Sequence, residues 1–483
     1  ISDWGNGENF ASEVGRQRAM LFGEFDKPSS NAAISLVKTY IYFGFGIEAI
    51  DVLSLLQNET AATQKLMSIA RILDNGYDSE ETPFKDQADC DSIGALWAIL
   101  SQKSILPSLE IDQDALMRGF NALPFHLRSH LGPTLSQRLL SAGHTESAKS
   151  ILRMAERGAD KLTAPLEMAA ASILTAEGDI ESAKTSFSAV ISANDALSPD
   201  ALVALIDASF DSKSAIPRDL ANLAAGFALE YRDQQINTDL KRVQILALAA
   251  NNEFEAAFNV FESVRLELDH QSLSNLGSKV LLLLAEKADD ATFVTSILEQ
   301  DIILPKDIGT KVANVIGARL IHLGLFSGAQ DYLSIDANGT ALTKQRVLRA
   351  QLALAQRRPR RALAELINVA GREVAAVRAS AQLMAGDFSA AQMGYIQLEK
   401  NEEATRTAML AEDWKYLMNS ETPELASVAN LLAQPPTVLD DTSLEKGPLA
   451  KNRDLLARSE AARSSLVLLL EKTPMPPEPT AKH

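Results

Sequence analysis

Gly386-Asp-Phe-Ser-Ala-Ala391 recurs along the chain with small changes, as Gly143-His-Thr-Glu-Ser-Ala148, Gly178-Asp-Ile-Glu-Ser-Ala183, Asn252-Glu-Phe-Glu-Ala-Ala257 and Gly324-Leu-Phe-Ser-Gly-Ala329. A weaker copy, Arg357-Arg-Pro-Arg-Arg-Ala362, lacks the glycine. The shared pattern is a helix end followed by a helix start. Gly or Asn tolerates the left-handed backbone that closes one helix, and the Asp or Glu that often follows suits the positive end of the next. The alanine then sits in the first turn of the second helix, where two backbones approach closely.

Four residues beyond each alanine comes a large apolar or aromatic residue on the same helical face: Leu152, Phe187, Phe261, Leu333, Leu366 and Tyr395. Ala148 to Ala183 spans 35 residues, Ala329 to Ala362 spans 33 and Ala362 to Ala391 spans 29. The 74- and 72-residue intervals on either side of Ala257 are each about two such periods. These turns and spacings resemble the helix-turn-helix unit of the tetratricopeptide repeat. The resemblance is divergent, since the large residue expected near the start of the first helix is mostly missing. It implies an all-α solenoid of stacked antiparallel helix pairs in a right-handed superhelix, with a groove lined by small residues and open to a helix or an extended segment.

Gly44-Phe-Gly46-Ile-Glu-Ala49 formally fits a dinucleotide-binding glycine motif. Such a motif works inside a strand-helix-strand unit, and the next segment, Ala61–Leu73, has helical spacing. Gly44 and Ala49 also hold the register of the repeat turn, with Leu53 four residues on, so the repeat explains them and no cofactor is expected. His126 and His130 share a helical face at a spacing that could suit zinc, but lack the Glu a zinc peptidase would place after the first His. No metal is expected. Cys90, the single cysteine, lies between Asp89 and Asp91 and reads as a buried structural or idle thiol. No nucleophile elbow or phosphate-binding loop occurs, so no catalytic residue is assigned.

Of the 483 residues, 46% are hydrophobic but only 6% aromatic, so the apolar mass is the Ala and Leu that build closely packed helices. The net charge of −17 argues against nucleic acid as a partner. The longest apolar run, Val280–Ala285, is far short of the ~20 residues of a membrane span. One segment departs from the acidic background. Lys344, Arg346, Arg349, Arg357, Arg358, Arg360, Arg361, Arg372 and Arg378 are opposed between 344 and 378 only by Glu365 and Glu373. Arginine binds carboxylates bidentately and is enriched at interface hot spots, so Arg346, Arg349, Arg357, Arg358, Arg360 and Arg361 are the candidate partner contacts. A solvated helix face is the alternative.

Four regions follow: degenerate helical repeats over 1–130, the solenoid over 131–420, an amphipathic capping or docking helix within 437–472, and a proline-rich extended tail over 473–483. A leading helix is expected over Phe10–Phe25, and Pro107, Pro124 and Pro133 are expected to punctuate the helices that follow Ser92. Leu449, Leu455, Leu456, Leu466, Leu469 and Leu470 form the apolar face of the last helix. The chain begins at Ile1, expected of a form from which a leader has been removed, and sparse cysteine suits the bacterial periplasm. The expected function is a non-enzymatic scaffold for proteins or peptides, loosely similar to repeat proteins attached to envelope machines of Gram-negative bacteria. A regulatory sensor solenoid that binds a peptide or a small effector is the alternative, and a helical-toroid enzyme is less favoured because residues 420–483 are too few for a catalytic domain. The cytoplasm is the other compartment considered.

Overall fold

The computed structural model describes residues 1–22, 28–56, 59–78, 82–158, 161–299, 308–334, 339–433 and 448–472. Among them the architecture is all-α, with one isolated antiparallel bridge between Phe22 and Pro28. The chain divides into two compact units, Ile1–Asp269 and His270–His483. The sequence marked no boundary there, and the division it drew at 130/131 falls inside a helix.

The first unit contains α1 (Phe10–Ala19), α2 (Ser30–Phe43), α3 (Gly46–Ser54), α4 (Ala61–Asn75), α5 (Gly94–Ser101), α6 (Gln113–Asn121), α7 (Phe125–Ser141), α8 (Thr145–Glu156), α9 (Ala164–Glu177), α10 (Ile180–Ala193), α11 (Ser198–Asp211), α12 (Arg218–Glu230), α13 (Ile236–Ala250) and α14 (Phe254–Val264). The second contains α15 (His270–Lys287), α16 (Asp290–Glu299), α17 (Thr310–His322), α18 (Phe326–Leu333), α19 (Gly339–Ala355), α20 (Pro359–Glu365), α21 (Arg372–Ala385), α22 (Phe388–Gln397), α23 (Asn401–Leu410), α24 (Trp414–Leu417), α25 (Pro423–Ala433) and α26 (Pro448–Lys472).

One turn links the paired helices. At Arg357 the backbone is left-handed at φ 58°, as it is at Gly178 (84°), Asn252 (64°) and Gly386 (85°). The next N–H reaches back to a carbonyl five residues earlier: Asp179 to Leu174 at 3.0 Å, Glu253 to Leu248 at 3.0 Å, Arg358 to Ala353 at 2.7 Å, Asp387 to Gln382 at 2.9 Å. This six-to-one bond satisfies a carbonyl orphaned at the helix end. The same bond closes the turns after Gly44, Gly143 and Gly324. It also closes turns at Lys213, Glu399 and Glu412, which the glycine-based pattern did not predict.

Five residues after each left-handed position in the predicted turns, Ala49, Ala148, Ala183, Ala257, Ala329, Ala362 and Ala391 are all fully buried. The large residues four positions further on, from Leu53 to Tyr395, are buried as well. The short turn makes the two helices antiparallel neighbours, with the alanine buried in the first turn of the second. In the first unit α7 packs on α8 and α9, α9 on α10 and α11, and α11 on α12 and α13; in the second α17 packs on α18 and α19, and α19 on α20 and α21. The first helices of successive pairs therefore form a continuous layer within each unit, the stacking of a solenoid.

Two expectations change. Pro133 does not end a helix: α7 runs through it, because Leu127, Leu131, Leu135 and Leu139 bury one continuous face and outweigh the missing hydrogen bond. The leading helix stops at Ala19, short of Phe25, and residues 23–27 lie outside those described. Its place as a covering element was also unforeseen. Phe10 stacks on Phe45 at 4.4 Å and meets Phe43 edge-on at 5.3 Å, Arg18 donates to the Tyr40 hydroxyl at 2.6 Å, and Ile1 and Trp4 pack against the core. The N-terminal segment thus covers the first helix pair. At the other end α26 packs on α25, yet Leu449, Leu455, Leu456 and Leu466 remain exposed. The side chains of Leu469 and Leu470, and the tail 473–483, lie outside the described residues.

Candidate functional site

The α19–α20 turn combines three local features. Arg357 occupies a left-handed conformation that costs a non-glycine residue about 1–2 kcal/mol. Pro359 is the first residue of α20, where its fixed φ favours the helix and its missing N–H costs nothing. Ala362 is fully buried and anchors the helix, while Arg357, Arg358, Arg360 and Arg361 are all exposed.

Charge runs against the helix dipole here. Arg358 holds the N-cap position that Asp179, Glu253, Asp387 and Asp413 hold in four other such turns, while Phe45, His144 and Leu325 hold it in three more. Asp179, Asp387 and Asp413 accept hydrogen bonds from the first turn of their helices, which stabilises the positive helix end. Arginine can do neither, and cations at that end are unfavourable by about 0.3–1 kcal/mol. Lys400 shares the N-cap position in another turn but pairs with Glu403 at 3.6 Å. None of the four arginines has a carboxylate at ion-pair distance among the described residues.

Three other arginines of the basic run are engaged with backbone carbonyls, while Lys344 and Arg372 are exposed. Half-buried Arg349 donates from Nε to the Leu333 carbonyl at 2.6 Å, Arg346 from Nη2 to Ile367 at 2.8 Å, and Arg378 from Nη2 to Leu366 at 3.0 Å and Val369 at 2.8 Å. These carbonyls lie at or just beyond the C-terminal ends of α18 and α20, where the macrodipole is negative and acceptors are orphaned. Arg319 does the same for the end of α15, donating to Leu284 at 3.1 Å, Ala285 at 3.0 Å and Ala288 at 2.6 Å. In the first unit buried Arg138 donates to Leu100 at 2.7 Å and Gly76 at 2.5 Å, and burial lowers its pKa to about 10. Of the basic residues from 344 to 378, Arg346, Arg349 and Arg378 are thus clasps between helices, and Arg357, Arg358, Arg360 and Arg361 are a separate exposed group at one turn. Linear sequence could not separate them, because the carbonyl acceptors lie on neighbouring helices.

Between α18, α19 and α20 lies an open cavity of about 230 Å³. Arg349 of α19 and Arg361 of α20 line it together with Gln330, Gln356 and Glu365. Leu352 and Ala353 of α19 supply apolar lining.

The remaining sequence candidates resolve into structure. Gly44 closes a turn at φ 84°, and a Cβ on Gly46 would lie 2.3 Å from the Ala70 carbonyl oxygen, so α3 crosses α4 too closely for a side chain there. His126 bonds the Tyr42 carbonyl and His130 the Leu73 carbonyl at 3.2 Å, joining α7 to the ends of α2 and α4. Cys90 is exposed, which corrects the expectation of burial: it lies in the loop before α5, with its thiol 3.9 Å from an Asp89 oxygen. Among the described residues no three His, Cys, Asp or Glu side chains gather as a metal site, and no helix is long and apolar enough to cross a membrane.

Compared with known proteins, the chain matches no family model, and no curated protein is significantly similar to it.

Proposed function

We propose that this chain is a non-enzymatic scaffold that holds other proteins or peptides, with the Arg357–Arg361 turn as a principal contact. The observation that carries the reading is the placement of four exposed arginines, without carboxylate partners among the described residues, at a helix start where four other turns of the same kind hold Asp or Glu. A local rule broken at a measurable cost is expected where function requires it. Arginine clusters suit such a contact because the planar guanidinium recognises carboxylates in pairs of hydrogen bonds. Stacked helix pairs supply the remainder: an extended surface to which each pair adds a strip. In finer terms we read the pairs as divergent tetratricopeptide-like repeats, supported by the turn, the buried alanine and the spacing of about 34 residues.

An accessory or assembly role in a bacterial envelope machine, with a periplasmic location, belongs to the same proposal. It is supported by the single cysteine and by the loose similarity to envelope-associated repeat proteins. The test is affinity capture from native lysate with the intact chain and with Arg357, Arg358, Arg360 and Arg361 all changed to Glu. The proposal predicts loss of specific partners from the variant at unchanged helix content. Equal recovery of every partner would remove the turn as an interface.

A further inference from the structure

Resting on the scaffold reading, we propose that the cavity between α18 and α20 receives the carboxylates of an acidic segment of a partner protein, an Asp- or Glu-rich stretch lying across the second helices of two successive pairs. Arg349 of α19 and Arg361 of α20 both line the cavity. Arg349 is held by its Nε bond to the Leu333 carbonyl, so its position is set before any ligand arrives. Gln330 and Gln356 add side-chain amide donors, which complement carboxylate oxygens that only accept. The volume of about 230 Å³ admits one or two carboxylate side chains and is too small for a folded domain. The arginine-rich turn is a local basic island in a chain of net charge −17, so it attracts a short acidic segment, while repulsion from the rest of the protein grows with the length of any polyanion and limits the ligand to a short stretch.

Glu365 also lines the cavity, yet neither Arg349 nor Arg361 pairs with it within ion-pair distance among the described residues. Its carboxylate competes with an incoming one for the same guanidinium field. This makes a gain of affinity the sharpest test, since a misfolded variant cannot bind more tightly.

The experiment measures fluorescence anisotropy of a labelled oligo-glutamate peptide with the full chain at two salt concentrations. Saturable binding that weakens with salt is expected. E365Q should tighten it about threefold to fivefold, and R361E and Q330E should each weaken it about tenfold, with R357E affecting it less because Arg357 lies outside the cavity. Oligo-lysine should not bind, and single-stranded RNA should compete poorly. Three results would each overturn the proposal: no saturable binding, no tightening in E365Q, or RNA competing as well as oligo-glutamate. If the native partner is lost with the quadruple Arg-to-Glu variant while E365Q and Q330E leave peptide binding unchanged, the scaffold reading stands and the cavity is excluded as its acidic-segment site.

Discussion

The guanidinium of Arg319 lies over the ring of Phe293, its central carbon 4.4 Å from the ring centroid, while its two terminal nitrogens hold three carbonyls at the end of α15. Asp290 completes the set at 2.8 Å. A single side chain on α17 thus joins α15 and α16 to the next pair. Removing it in R319A leaves those carbonyls without their donors and uncovers buried Phe293, so the second unit should lose about 2–4 kcal/mol. R319K should recover less than half of this, because an ammonium is a point charge that cannot fork to three acceptors and stack on a ring. Hydrogen exchange over α15–α17 measures the loss.

The shared turn predicts substitutions of opposite sign. R357G should stabilise the second unit by up to about 1 kcal/mol by relieving the left-handed conformation, while G386A at φ 85° should destabilise it by about 1–2 kcal/mol. Chemical denaturation of both variants checks the pair. A stabilising R357G that also weakens partner binding would separate the fold from the function at one position.

That pair also marks how far the fold could be read in advance. Ala362 and Leu366 identified the α19–α20 turn without a glycine, because buried alanine and the apolar residue after it record the helix contact itself. Glu399 escaped notice although fully buried Ala404 stands at the same offset, and Glu412 leads instead to buried Leu417. Where Gly is replaced by Glu or Lys the left-handed turn leaves no mark in composition, and only the six-to-one bond reveals it. The arginines were legible as an excess of charge. Their division into helix clasps and a free group was not, since it depends on where Leu333, Leu366 and Ile367 end their helices.

Glu156, near the end of α8, gives a pH signature. Burial raises its carboxyl pKa above the ordinary value, opposed by the charge of Arg153. The native state then holds a proton that the unfolded chain has lost, so this contribution to stability is greatest at low pH and declines as pH rises through the folded value. E156Q, which stays neutral, should therefore melt higher than the unaltered protein near about pH 7 and lose that advantage near about pH 4. Melting temperatures of both proteins across this range are the measurement.

The claim that the exposed arginine turn is a working contact is tested most directly by placing a photo-crosslinking amino acid at Arg360 and, as a control, at exposed Ser188 on α10. After irradiation in the native cell, the account predicts a discrete cross-linked species from position 360 that is absent from position 188. It also predicts that changing Arg357, Arg358 and Arg361 to Glu abolishes that species. No cross-link at 360, or the same products from both positions, would contradict it.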